Sequence, residues 1–188
     1  MVKGSFLDSL APRLTWEQPA PLVPRESAGV AAIFRDLGHG EEVLLITRAE
    51  RKGDPWSGQV AFPGGMVSAA DASFEETARR ETLEEIGIDL ALDAAFLGYM
   101  GERRARMRDV VVVPSVFRVA AAPRLTLNSE VASYEWVPLE SLASRKARST
   151  YLLRRENAEI PFPSLVHGGL VIWGLTERIL SSVIQDDE

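Results

Sequence analysis

The 188-residue sequence contains no cysteine. This absence excludes a disulfide scaffold, a thiol nucleophile and any metal site built from thiolates. The sequence also lacks an apolar run of the roughly 20 residues that cross a bilayer, and its N-terminus lacks the apolar core of a signal peptide. We therefore expect a cytoplasmic protein with no membrane partner.

Positive charge is scarce as well. The chain has 21 Lys and Arg residues against 27 Asp and Glu residues, which gives a formal net charge of −6. Because nucleic-acid-binding surfaces are usually basic, this balance predicts no nucleic-acid partner. It is compatible with a phosphate-bearing small molecule if positive charge is local or supplied by a metal ion. The sequence favours no particular oligomeric state.

The length and the 46% hydrophobic content are typical of one globular domain. Three prolines between Trp16 and Pro24 favour a connector on the surface. We therefore expect residues 1–27 to form an N-terminal extension, and residues 28–188 to form the domain together with a C-terminal helix.

Short apolar segments separated by turn residues predict strands at 28–34, 42–47, 60–62, 95–101, 110–119 and 134–137. The Gly38-His39-Gly40 turn favours a hairpin between the first two. Helices are predicted at 74–86, 139–142 and 170–184, the first with Asp71 or Ser73 as N-cap and Gly87 as its stop. Since strands and helices alternate without a regular repeat, the expected class is α/β, with helices outside a mixed sheet.

Three carboxylates stand close together in the first of these helices. Glu81, Glu84 and Glu85 have the spacing i, i+3 and i+4, which places them on one face, where like charges repel. A cation would relieve this repulsion, and oxygen ligands on a helix suit Mg²⁺ or Mn²⁺. The simpler alternative is an acidic patch that faces solvent.

The residues around this triplet resemble the Nudix box. Gly65 begins the pattern, Arg80-Glu81 and Glu84-Glu85 supply its charged centre, and Gly87-Ile88 close it. Two positions depart from the family pattern: the first acid is Asp71, followed by eight residues rather than seven before Arg80, and Thr82 replaces an aliphatic residue. The resemblance implies the Nudix fold, a mixed sheet sandwiched between helices (an α/β/α sandwich), with Glu81, Glu84 and Glu85 as metal ligands. Structural support is expected from Gly64, Gly65, Arg80 and Gly87.

The segment just before the box resembles one particular branch of the Nudix family. Residues 58–65, GQVAFPGG, look like the signature of the coenzyme A pyrophosphatase branch, and residues 44–49, 127–131, 136–139 and 172–180 are also similar to that branch. The resemblance implies Mg²⁺- or Mn²⁺-dependent cleavage of coenzyme A, or its thioesters, to 3′,5′-ADP and 4′-phosphopantetheine or its acyl form. The alternatives are a Nudix hydrolase of ADP-ribose or NADH, and a nucleotide-sensing module without catalysis.

Catalytic roles are expected for Glu81, Glu84 and Glu85, and for Glu130, a candidate general base because the family often has an acid in this loop. Glu130 could equally be an exposed loop residue. Substrate binding is expected from Arg48, in the upstream part of the branch signature, and from a basic cluster suited to phosphate contacts. The alternative for this cluster is a solvated hairpin; its members are Arg103, Arg104, Arg106 and Arg108.

Overall fold

The computed structural model describes residues 5–24, 26–53, 56–105, 109–121, 123–155 and 158–184. The strands in these ranges are β1 (Ser27–Asp36), β2 (Glu41–Arg48), β3 (Val60–Ala61), β4 (Gly64–Met66), β5 (Ala94–Tyr99), β6 (Arg103–Ala105), β7 (Val110–Val119), β8 (Val131–Pro138), β9 (Arg148–Arg155), β10 (Ala158–His167) and β11 (Leu170–Trp173). The helices are α1 (Phe6–Leu10), α2 (Phe74–Ile86), α3 (Leu90–Asp93), α4 (Leu139–Ala143) and α5 (Gly174–Ile184).

Eight strands form one mixed sheet. Its main path runs β3-β2-β1-β7-β5, while β4 pairs with β1, β6 with β7 and β8 with β2. The pairing of β1 with β7 is parallel, and the other pairings of this sheet are antiparallel. The predicted hairpin is confirmed, because Phe34 of β1 lies opposite Val43 of β2.

Helices cover both faces of this sheet. Side chains alternate along β1: Ala31 and Ile33 enter the core beneath α2 and α3, whereas Ala32 and Phe34 enter the core beneath α1, α4 and α5. Both cores are fully buried at these positions. The predicted α/β/α sandwich is therefore confirmed.

A second, three-stranded sheet was not predicted. Strands β9, β10 and β11 are antiparallel neighbours, in the order β11-β10-β9. The prediction of a helix over 170–184 is wrong for its first four residues, which pair with β10. Helix α5 begins directly after this strand, at Gly174, whose φ is 71°. A short apolar run such as Leu170–Trp173 fits a strand and a helix equally well, so its partner strand decides.

The predicted helix over 74–86 matches α2 at both ends. The Ser73 hydroxyl accepts a hydrogen bond from the Glu76 N–H at 3.0 Å, which makes Ser73 the N-cap. At the other end Gly87 has φ of 74°, and its N–H donates to the Leu83 carbonyl. The helix therefore holds the acidic residues in a fixed register.

The N-terminal segment packs on the domain. Leu7 and Leu10 of α1 join the core that contains α5, and the Glu41 carboxylate accepts the N–H groups of Phe6 and Leu7 at 2.5 and 3.2 Å. Among the described residues, no helix combines the length and the apolar character that crossing a bilayer requires.

Close packing of α2 on β1 depends on Gly29. A Cβ at this position would lie 2.6 Å from the Phe74 carbonyl oxygen and 2.9 Å from Thr77 Cβ. We expect Gly29→Ala to lower the free energy of unfolding by about 2 kcal/mol, measured by urea denaturation. The matched control is Gly101→Ala, whose added Cβ meets only the Arg103 guanidinium at 3.4 Å. Equal stabilities of the two variants would contradict this packing.

Candidate active site

A cavity of about 790 Å³ opens beside α2, between the two sheets. Its polar lining includes Glu81 and Glu85 from α2, Arg48 at the end of β2, and Glu130 just before β8. Gly64 and Gly65 of β4 form part of the same wall. Four of the charged residues predicted for the site therefore face one cavity.

Two glycines let the acidic face of α2 lie directly against the backbone of β4. The Gly64 N–H donates to Glu85 Oε2 at 2.9 Å. A Cβ on Gly65 would lie 2.5 Å from Glu81 Cδ, so no larger residue leaves room for that carboxylate. Gly64 has φ of 152°, a backbone conformation that glycine adopts most readily. It also faces Val30 of β1, and a Cβ on Gly64 would lie 2.6 Å from the Cα of Val30.

Arg80 connects α2 to the loop that precedes it. Its Nη1 donates to Glu81 at 2.7 Å, and its Nε and Nη2 donate to the two oxygens of Asp71 at 3.1 and 3.0 Å. Nη2 also reaches the Met66 carbonyl at 3.1 Å. Asp71 in addition accepts the Ser68 N–H and the Thr77 hydroxyl at 2.8 and 2.9 Å. Asp71, the first acid of the box, is therefore linked to α2 through Arg80, and this contact fixes the loop.

Burial changes the ionisation of this cluster. It raises the pKa of Glu85 to about 7, although the Gly64 N–H opposes the shift. Burial also raises the pKa of Glu81, against the opposing effect of Arg80. The Arg80 guanidinium, by contrast, holds the pKa of Asp71 below its usual range. The carboxylates nearest the cavity are therefore those for which a nearby positive charge is most stabilising.

Glu84 is placed differently from the other two predicted metal ligands. Its side chain is 56% exposed and lies 3.5 Å from Arg80, whereas that of Glu81 is 18% exposed. Glu84 is not part of the cavity lining. Across the ranges that the structure describes, no three His, Cys, Asp or Glu side chains are already grouped as they would be around a metal ion. The donor set itself is all oxygen, which fits Mg²⁺ or Mn²⁺.

Glu130 has a partner that the sequence analysis missed. Arg51 donates to Glu130 Oε1 at 3.0 Å, and both side chains are about half exposed. The two residues are 79 positions apart, and only the pairing of β2 with β8 brings their segments together. No local sequence signal points to this contact.

The two described residues of the predicted basic cluster, Arg103 and Arg104, do not line the cavity. Arg103 donates to the carbonyls of Gly101 and Glu102 at 3.0 Å, and Arg104 pairs with Asp109 at 2.7 Å. Neither arginine is part of the cavity lining. Arg106 and Arg108 lie outside the described residues. One nitrogen of each described guanidinium, Nη1, thus donates to a residue within five positions of it in the chain.

Aromatic and aliphatic side chains complete the cavity wall. Trp56 is among them. Trp173, the last residue of β11, also faces the cavity. Two further lining residues, Phe162 and Leu175, were not predicted from the sequence.

The model of the NUDIX domain matches residues 23–156 of the chain. The chain belongs to this family. In that context the glycines of β4 and the acidic helix α2 are the two halves of the Nudix box, which the sequence resemblance had indicated. The fold agrees: DR0079 from Deinococcus radiodurans superposes with a TM-score of 0.56 at 15% identity, covering 90% of each chain.

Two named relatives have related sequences. The Nudix hydrolase NudL of Pectobacterium atrosepticum is 30% identical over 177 residues, which cover 93% of this chain and 91% of NudL. The peroxisomal coenzyme A diphosphatase ndx-8 of Caenorhabditis elegans is 32% identical over 130 residues, covering 68% of this chain and 55% of ndx-8. The chain thus spans about half of the length of ndx-8, and about a third of a Schizosaccharomyces pombe protein that is 44% identical over 107 residues.

The ion pair between Asp71 and Arg80 gives a pH-dependent prediction. Because the pKa of Asp71 is lowered in the fold, its carboxylate stabilises the protein above about pH 4, and this contribution is lost as the pH falls through the lowered value. We expect Asp71→Asn to cost about 1–2 kcal/mol of unfolding free energy at pH 7. The difference from the wild type should shrink as the pH falls below about 4 toward the lowered pKa of Asp71.

Urea denaturation at a series of pH values between 7 and 3 measures this difference. Asp93→Asn, at the exposed end of α3, is the matched control and should follow the wild type. A deficit of Asp71→Asn that stays constant across the series would contradict the ion-pair interpretation.

Proposed function

We propose that this chain hydrolyses the diphosphate bond of coenzyme A or of its thioesters, to 3′,5′-ADP and 4′-phosphopantetheine or its acyl form. The observation that carries the proposal is the cavity in which Glu81, Glu85, Glu130 and Arg48 converge. The 32% sequence identity with the coenzyme A diphosphatase ndx-8 supports the choice of substrate. Membership of the NUDIX domain family supports the class of reaction.

Glu81 and Glu85 would hold a Mg²⁺ or Mn²⁺ ion, with Glu84 as a third ligand. Glu84 pairs with Arg80 in the structure, so it would have to turn toward the cavity to contribute. When bound, a divalent cation neutralises phosphate oxygens and lowers the pKa of water. Gly64, Gly65 and Gly87 fix the backbone around these ligands, and Arg80 holds the Glu81 carboxylate in place.

The remaining side chains of the cavity act on the attacking water and on the phosphates. A water oxygen forms a bond to one phosphorus atom, the bond from that phosphorus to the bridging oxygen breaks, and the bridging oxygen leaves with the other phosphate. Glu130 is the proposed base that accepts the proton of the water, and Arg51 holds its carboxylate. Arg48 contacts the phosphates. We place this activity in residues 28–188, with residues 1–27 as an N-terminal extension whose helix α1 packs in the core that contains α5.

The direct test is product analysis. The purified chain is incubated in the presence of Mg²⁺ or Mn²⁺ with one candidate substrate per reaction. The candidates are coenzyme A, acetyl coenzyme A, ADP-ribose and NADH. We expect 3′,5′-ADP to appear from the first two compounds at the highest kcat/KM. Faster cleavage of ADP-ribose or NADH would overturn the substrate, and binding without cleavage of any compound would indicate a sensing module.

The carboxylate roles are tested by Glu81→Gln and Glu85→Gln. Each change keeps the size of the side chain but removes a negative charge from the cavity, so kcat should fall by about two orders of magnitude or more. The fold should persist, because burial already disfavours the charged form of both residues. Glu17→Gln, in an exposed segment, is the control and should retain wild-type kcat. Full activity in both cavity variants would remove them from the mechanism.

A further inference from the structure

The cavity has two walls of different chemistry. The carboxylates and glycines of α2 and β4 form one. Phe162 and Pro163 of β10, Trp173 of β11 and Leu175 of α5 contribute to the other, which is apolar. The match to the NUDIX domain ends at residue 156, so this second wall comes from a part of the chain beyond the matched domain.

Strand register brings the aromatic rings of this wall together. Phe162 lies opposite Tyr151 on β9, and Trp173 lies opposite Ser164 of β10. Since positions 162 and 164 point to the same side of the strand, the rings share one face of the small sheet. The Trp173 ring stacks on Tyr151 with centroids 4.3 Å apart and lies 5.5 Å from the Phe162 ring. Two neighbours thus fix the orientation of Trp173.

The adjoining residues hold the wall rigidly against the main sheet. Ile172 is fully buried in the core that contains α5, so Trp173, next in the strand, faces the other way and remains partly exposed. The Thr176 hydroxyl donates to the Val60 carbonyl at 3.0 Å, which fixes the start of α5 on β3. The apolar surface is therefore formed before any ligand arrives.

Polar groups near this wall are engaged with the protein. Glu177 accepts a hydrogen bond from the Ser181 hydroxyl at 2.6 Å, and Arg178 donates to the Arg104 carbonyl at 3.0 Å. A sugar buried here would lose hydrogen bonds to water without replacing them. Glu177 and Arg178 both line the cavity and carry opposite charges, so this side of the cavity offers no net positive charge to a phosphate. An alkyl chain needs no hydrogen bonds and gains free energy by leaving water.

We propose that Phe162, Trp173 and Leu175 form a subsite for an apolar chain carried by the substrate. Given the proposed function, on which this inference rests, the chain attached through the thioester would lie against these residues. Thioesters with acyl chains of several carbons are then cleaved in preference to short ones. The subsite thus selects among thioesters by their acyl chain, and the diphosphate is cleaved at the opposite, charged wall.

The test compares octanoyl and acetyl coenzyme A as substrates of the full chain. Each buried methylene is worth about fourfold in affinity, so burial of part of the octanoyl chain predicts a KM at least about tenfold below that for the acetyl compound. Trp173→Ala should reduce this KM ratio to less than about threefold. Phe162→Ser, at a position outside the buried cores, should reduce the ratio similarly if Trp173→Ala does not fold.

Trp16→Ala is the matched control, because Trp16 is 73% exposed and is not part of the cavity lining. It should keep the wild-type ratio. Equal KM values for the two thioesters in the wild type would overturn the subsite, as would an unchanged ratio in both cavity variants.

Failure of the proposed function gives a different result. If neither thioester is cleaved, the proposed cleavage of coenzyme A thioesters is wrong, and calorimetric affinities for the same two compounds test the subsite alone. Tighter binding of octanoyl coenzyme A that disappears in Trp173→Ala supports the subsite, whereas equal affinities overturn it.

Discussion

The candidate site depends on contact between two carboxylates and a backbone without side chains. Glu85 accepts the Gly64 N–H, and Glu81 occupies the space that a side chain on Gly65 would fill. The contact requires α2 to pack tightly on β1 and β4, which Gly29 allows. Arg80 and Asp71 then fix the loop between β4 and α2. Partly desolvated negative charge is thereby gathered at one cavity wall, where a cation would be strongly stabilising.

The two cavity walls have separate origins in the chain. The charged wall lies in the matched NUDIX domain, whereas the apolar wall comes from β10, β11 and the start of α5. Such a division lets one chemistry be combined with different specificities, because the second wall can change without disturbing the box helix. The hydrogen bond from Thr176 to Val60 links the two parts, so the distance between the walls is set by the fold.

Local signals predicted the elements that carry the charged wall. Gly87 and one of the two N-cap candidates, Ser73, mark the ends of α2, and the apolar segment at 110–119 forms β7. Contacts between distant segments were not predictable in this way. The strand at Leu170–Trp173 exists because β10 pairs with it, and the contact of Arg51 with Glu130 exists because β2 pairs with β8. The contacts of Arg103 and Arg104 were not predictable either, since a charge cluster does not reveal which partners its own hairpin supplies. Their role in substrate binding stays a prediction.

The central claim is that the acidic face of α2 binds a divalent cation beside the glycines of β4. The most direct measurement is the anomalous difference density of a crystal soaked in Mn²⁺, compared with that of a Glu85→Gln crystal treated identically. The account predicts a peak next to the Glu81 and Glu85 carboxylates in the wild type and a weaker peak or none in the variant. Wild-type crystals without a peak at these carboxylates, or a peak of equal strength in both crystals, would contradict it.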